Sequence, residues 1–244
     1  MTEEATPSLR ERNKQLVRDV VLDAAERLLR KNVSADFSMR ELATEAGVGF
    51  ATPFNHFGSK NAIMQALSSR LIERMAARFR EQAPRGDAID RVLAMGRISV
   101  ALLLEQPEIS KAVVGSLGLA GPVPSSVRPR SEAIWSLALA DLEGIDAAIE
   151  PQARDVLPQQ LAFMFRGCLS FWIAGELDDK QFGRAFEAGA LTLLLGFADR
   201  GRRPEILDKI NPATAFGVAR TASKTSASNT SRRKPVAPHS GRKG

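Results

Sequence analysis

Few residues in this 244-residue chain are of the types that do covalent chemistry: two histidines, His56 and His239, one cysteine, Cys168, and no tyrosine. A single cysteine excludes an internal disulfide framework and a Cys-rich zinc site, and two histidines leave no multi-histidine metal site. Neither a Ser/His/Asp order nor a phosphate-cradling loop is visible, so neither catalysis nor a cofactor is expected. Gly47-Val48-Gly49 is not a dinucleotide loop, because Thr52 takes the third glycine position and a helical pattern precedes it. Glu176, Asp178 and Asp179 stand where acids cap a helix start, in preference to a cation site. Cys168, within an apolar helical pattern, reads as a small buried hydrophobe.

What remains is recognition by hydrogen bonds and shape, and it concentrates in Phe37 to Lys60, FSMRELATEAGVGFATPFNHFGSK. Ser38-Met39-Arg40-Glu41 is a capping box, in which Ser38 caps a helix and Glu41 returns the bond. Leu42, Ala43 and Ala46 give that helix an apolar face. Gly47 leaves it in a left-handed conformation at little cost, and Val48 plugs the turn. A second short helix runs to Phe57. Two short helices joined by a tight Gly turn describe a helix-turn-helix. Such a shape presents the start of its second helix to base edges in a DNA major groove, while helix-start amides, there and at Ser59-Lys60, face phosphates.

The elements that position this motif are helical. Leu16, Val20, Ala24 and Leu28 recur every four residues beside Val17, Val21, Ala25 and Leu29, a wide stripe on a first long helix. Ser59 opens another, lined by Ile63, Ala66, Leu67, Leu71, Met75 and Phe79 and ended by Pro84 and Gly86. Further helices are expected from Asp87 to Leu104, Ile109 to Leu117 and Ser131 to Leu142. Residues 115–129, rich in Gly and Pro, form an irregular connection. Two long apolar helices close the fold, Gln152 to Gly175 and Asp179 to Arg200. With no alternating strand pattern, the fold class is all-α. The expected organisation is a flexible N-terminus over 1–12, a helix-turn-helix domain over 13–60, a helical regulatory and dimerising domain over 61–210 and a disordered tail over 211–244.

The net charge of +6 belongs to that tail. Of the 34 basic residues seven fall after Asn211, a stretch without Asp or Glu, leaving 27 against 28 acids in the body. Residues 1–60 hold nine of each sign, so bulk charge is no argument for nucleic-acid binding there. The tail is either a flexible clamp on flanking phosphates or a solubilising extension. No apolar run approaches the ~20 residues of a membrane span, and the polar start of the chain is not a secretion signal. The expected setting is a reducing cytoplasm.

Over residues 13–80 the chain resembles the TetR (tetracycline-repressor-like) family of bacterial regulators. The resemblance rests on Ser38-Met39-Arg40-Glu41-Leu42-Ala43, Gly47-Val48, Thr52-Pro53-Phe54-Asn55-His56-Phe57 and Gly58-Ser59-Lys60. It implies a homodimeric regulator of a pseudo-palindromic operator, a repressor by family habit, released by a small apolar or amphipathic ligand. It places Thr52 on phosphate or base edges, Gly49, Phe50, Ala51, Phe54, Asn55 and His56 near the groove, and Ser38, Arg40 and Lys60 on the backbone. Three departures matter. Phe54 replaces a tyrosine and loses the phenolic bond. Gly49 replaces a serine cap. Pro53 falls inside the recognition helix, so either the helix keeps its usual start around Pro53 or Thr52 caps a very short one.

Beyond residue 80 only the layout agrees with the family. The segments Leu161–Ile173 and Phe186–Phe197 are the expected dimer interface, where an Asp at Leu193 or Leu194 is expected to break the dimer. The resemblance further implies a ligand pocket, with Met95, Ile98, Leu102, Trp135, Leu139, Phe163, Arg166 and Trp172 as candidates, although apolar residues at this spacing are mostly core. The rival reading is a ligand-free architectural protein whose second domain only dimerises. A buried cavity with isolated polar groups discriminates the two.

Overall fold

The computed structural model describes residues 8–32, 36–118 and 127–210. They form α1 (Leu9–Lys31), α2 (Met39–Ala46), α3 (Ala51–Phe57), α4 (Lys60–Gln82), α5 (Ala88–Leu104), α6 (Pro107–Gly115), α7 (Val127–Leu139), α8 (Glu150–Ile173), α9 (Asp179–Leu195) and α10 (Arg203–Lys209). Among these residues the only β pairing is an isolated bridge between Ile145 and Ala198. The expected all-α class is what the chain adopts.

The boundaries follow local chemistry. Ser8 and Glu11 form a capping box that starts α1 at Leu9, so the stretch expected to be flexible is helical from residue 9. Residues 1–7 and the tail over 211–244 lie outside the described residues. Helix α7 begins at Val127 instead of Ser131, because Pro129 sits in its first turn, where an amide has no intrahelical partner to lose. Helix α9 stops at Leu195, short of Arg200, where the chain turns into the Ala198 bridge. Helix α10, too short to show a period, was not legible in the sequence; Arg202 at its start pairs with Asp87 at 2.6 Å and Asp90 at 2.9 Å. The expected stripe on α1 is buried at Val21, Ala24, Ala25 and Leu28, but Leu16 and Val20 are exposed. The first turns of α1 project beyond the core.

There are two cores. The smaller joins α1, α2, α4 and α6 through Val21, Leu29, Phe37, Leu42, Ile63, Leu67 and Val113. The larger joins α4 to α10 around an aromatic cluster: Trp135 stacks on Phe186 with centroids 5.6 Å apart, and Trp172 on Phe182 at 5.1 Å. Helix α4 belongs to both. Its Ile63, Met64 and Leu67 enter the first core, and Met75, Ala76 and Phe79 the second. Helix α6 is divided likewise, with Val113 in the smaller core and Val114 in the larger. The expected boundary at residue 60 therefore meets the start of a continuous helix.

Packing is tightest where α5 crosses α9. A Cβ on Gly96 would lie 1.7 Å from the ring of Phe186, a clash that neither buried neighbour can relieve without moving Trp135. Gly96→Ala should therefore destabilise the protein by about 1–3 kcal/mol through overpacking. Phe186→Leu in the same chain should return part of that loss. Urea unfolding of the single and double variants measures both; a neutral Gly96→Ala would contradict the packing described.

Candidate nucleic-acid interface and ligand cavity

Helix α2 starts on the expected box: the Ser38 hydroxyl accepts from the Glu41 amide at 3.2 Å, and the Ser38 amide donates to the Glu41 carboxylate at 2.7 Å. These backbone and hydroxyl bonds hold the Glu41 carboxyl below its usual range. The helix ends on Gly47, at φ 66°, the left-handed position that favours glycine. Val48 then packs against the small core.

Helix α3 resolves the question of Pro53. It begins at Ala51, which puts Pro53 at its third position and buries the ring; the missing amide is one of the four that lack an intrahelical partner. The cost expected from a proline within the helix is thus avoided. The N-cap position is Phe50, and no side chain caps this start. Instead the Thr52 amide donates to the Gly49 carbonyl at 2.8 Å.

Burial divides α3 into two faces. Pro53 is buried and Phe57 packs on the small core, while Gly49, Phe50, Ala51, Phe54 and Asn55 are exposed. Thr52 and His56 are half-buried, and the His56 Nδ1 has no partner within the protein. The exposed rings of Phe50 and Phe54 meet edge to face, 5.6 Å between centroids. Arg40, exposed on α2, lies 6.0 Å from the Phe50 ring. The two helices thus share one outward surface of aromatic, small and polar groups.

Two residues that the motif did not flag position this surface. Arg18 on α1 donates to the His56 carbonyl and covers the Phe57 ring at 4.1 Å; it fastens the end of α3 to α1 from 38 positions away, beyond any local pattern. Asp36 pairs with Lys60, which also lies 5.1 Å from the Phe37 ring. The bond from Lys60 holds the Asp36 carboxyl below its usual range. Lys60 is therefore engaged in the free protein.

A cavity of about 290 Å³ opens between α4, α6, α7 and α8. Its walls are chiefly apolar, including Leu71, Ile72, Met75, Leu103, Val114 and Phe165. Of the eight pocket candidates, Phe163 and Arg166 line it. Met95, Ile98, Trp135, Leu139 and Trp172 are instead filled core, and Leu102 borders a separate small pocket. Periodicity marks which residues leave water but cannot separate a packed face from one beside a void. The missed lining residues on α4 belong to the same stripe that feeds both cores.

The outer faces of α8 and α9 form a shallow apolar groove bordered by Phe163, Met164, Phe171, Gly189 and Leu193. Phe163 and Phe171 are 47% and 53% exposed. A Cβ on Gly167 would meet nothing within 4 Å, so no contact within the protomer accounts for that glycine inside a helix, where it costs about 1 kcal/mol. Leu193 borders the groove, but Leu194 points the other way and is fully buried; only the former belongs to this face. Of the acids around the start of α9, Asp178 is the cap and forms a box with Gln181, while Asp179 accepts from the Trp172 indole at 2.8 Å.

Residues 21–67 match the model of the bacterial regulatory proteins of the tetR family. A relative from Mycobacterium tuberculosis (strain CDC 1551 / Oshkosh), described as an uncharacterized HTH-type transcriptional regulator, is 27% identical over 204 residues, 82% of this chain and 97% of its own. A second, with the same values, comes from strain H37Rv. A TetR transcriptional regulator of Rhodococcus sp. RHA1 shares the fold with a TM-score of 0.60 at 22% identity, covering 74% of this chain and 97% of that one.

The Asp36–Lys60 pair gives this surface a measurable signature. For Lys60 to reach a phosphate, as the resemblance implies, it must leave Asp36, so Asp36→Asn should raise affinity for specific and random duplex alike, by about three- to tenfold. Lys60→Ala should lower both. Fluorescence anisotropy at fixed salt reads the two; a change confined to one DNA would contradict the assignment of Lys60 to the backbone.

Proposed function

We propose that the chain, which matches the tetR regulators over residues 21–67, is a DNA-binding transcriptional regulator of that family, a homodimeric repressor released from its operator by a small molecule. The observation that carries the ligand-responsive reading is the cavity, because one of its walls is the helix that also supports the recognition motif. Ser68, Leu71, Ile72 and Met75 of α4 line it, and Ile63, Met64 and Leu67 of the same helix pack under α1 and α2. An architectural protein with a purely dimerising second domain has no use for such a void, so the cavity favours the sensor.

In this reading Phe50, Ala51, Thr52, Phe54 and Asn55 address base edges, the two phenylalanines by apolar contact with thymine methyl groups. His56 lies at the edge of the groove. Ser38, Arg40 and Lys60 hold phosphates and fix the register. No helix of the described residues is long and apolar enough to cross a membrane.

The second copy covers the outer groove of α8 and α9. Exposed phenylalanines and the open face at Gly167 provide an apolar surface of the kind that marks an interface. Phe163 borders both the groove and the cavity, so a ligand that displaces it acts on the dimer contact as well as on α4. Release is then a population shift. The ligand favours an arrangement in which the recognition helices no longer match the groove spacing, by as much as its affinity differs between the two arrangements.

Selection from a random duplex pool followed by footprinting tests the reading. It should return an inverted repeat with half-sites about one helical turn, ~34–36 Å, apart or a multiple of it. Leu193→Asp should give a monomer that loses this protection by at least about a hundredfold in affinity. Asymmetric protection, or a Leu193→Asp protein that stays dimeric and bound, would place the interface or the function elsewhere.

A further inference from the structure

The polar residues that line the cavity are Ser68, Arg128, Ser131 and Arg166; Arg128 is largely exposed and faces Glu132, which leaves Arg166 and Ser68 as the two whose polar groups the protein satisfies least. Arg166 of α8 lines it and makes one long hydrogen bond, Nη1 to the Val114 carbonyl at 3.3 Å. Among the described residues no carboxylate lies within ion-pair distance of it. Glu73 pairs with Arg130 at 2.6 Å, and Glu132, whose Oε1 makes no hydrogen bond, lies 3.5 Å from Arg128. Burial lowers the proton affinity of Arg166, although a guanidinium stays charged.

Ser68 of α4 is the second of the two. It is 3% exposed and its hydroxyl has no partner. Neighbouring helical serines satisfy themselves on the carbonyl four residues back, as Ser69 does on Gln65 at 3.1 Å and Ser170 on Arg166 at 3.1 Å. Ser68 does not. An uncompensated cation and an idle hydroxyl in an apolar cavity both cost free energy that a ligand can recover.

We propose that the effector is an anionic amphiphile, a monocarboxylate whose head pairs with Arg166 while its apolar body fills the cavity and Ser68 donates to a polar atom of the ligand. Taking ~30 Å³ per water-sized unit, the cavity holds upwards of about ten non-hydrogen atoms, which suits a chain of medium length. The proposal rests on the ligand-responsive reading and adds a route for it. A carboxylate competes with the Val114 carbonyl for Arg166, and so loosens α8 from α6, whose Val113 is embedded in the small core under the DNA-reading helices.

Calorimetric titration of the full-length protein with decanoate, decanol and decylammonium tests it, since the three share a body and differ in head charge. Decanoate should bind at least about tenfold tighter than decanol, and decylammonium weakest, as expected for a charge-assisted contact. Arg166→Gln should remove the preference for decanoate and leave decanol unchanged, Arg166→Lys should keep part of it, and Ser68→Ala should weaken decanoate by a few-fold. Equal binding of decanoate and decanol, a preference that survives Arg166→Gln, or no binding of any of the three would overturn the proposal. Operator binding is followed in parallel. Decanoate that binds through Arg166 without releasing DNA upholds the anion site and removes the release reading; decanol that binds equally and releases DNA does the reverse.

Discussion

Everything in this molecule hangs on a helix that belongs to two cores at once. Helix α4 spans 23 residues, roughly 34 Å at 1.5 Å per residue, and its apolar stripe changes partners midway. Ile63, Met64 and Leu67 pack under the recognition motif, while Met75, Ala76 and Phe79 pack against α5 and α7. A packed helix moves as a body, because close-packed interfaces shift between discrete arrangements instead of deforming gradually. Whatever displaces the cavity-facing turn at Ser68 and Ile72 is therefore felt one to two turns away, at the floor of the DNA-reading surface. Helix α6 repeats the arrangement on a smaller scale, with adjacent valines in different cores.

The recognition half is economical. It carries no excess of positive charge, so its affinity must come from a few well-placed contacts and from geometry. That geometry is assembled from outside the motif. Arg18 fastens the end of α3 to α1, and Asp36 holds Lys60 at the start of α4. A seven-residue helix with no side-chain cap would be marginal alone; Pro53, Phe57 and Arg18 supply the tertiary anchorage that it lacks.

How far the sequence could be read depends on the range of the interaction concerned. Capping boxes, the Gly47 turn and the period of α4 act over a few residues, and these features stand where the sequence placed them. The helix ends at Val127 and Leu195 were misjudged because Pro129 is tolerated in a first turn and because the Ile145–Ala198 bridge joins distant segments. Helix α10 owes its place to Arg202 and two aspartates more than 100 positions away. The cavity leaves the weakest trace in the sequence. Trp135 and Trp172 have the same periodicity as true lining residues, yet stack on Phe186 and Phe182. Arg166, by contrast, was visible as a charge among apolar neighbours, and the structure gives that oddity a setting.

The coupling of cavity to recognition surface is the central claim, and it can be tested without knowing any ligand. Ile72→Trp would fill part of the void from the α4 wall. With Cys168, the single cysteine, replaced by Ala, and exposed Thr44 on α2 changed to Cys and spin-labelled, electron–electron resonance measures the separation of the two DNA-binding domains in the proposed dimer. The account predicts that Ile72→Trp shifts this distance by a few ångström and lowers operator affinity, with helix content unchanged. A folded Ile72→Trp dimer with the original distance and affinity would contradict it.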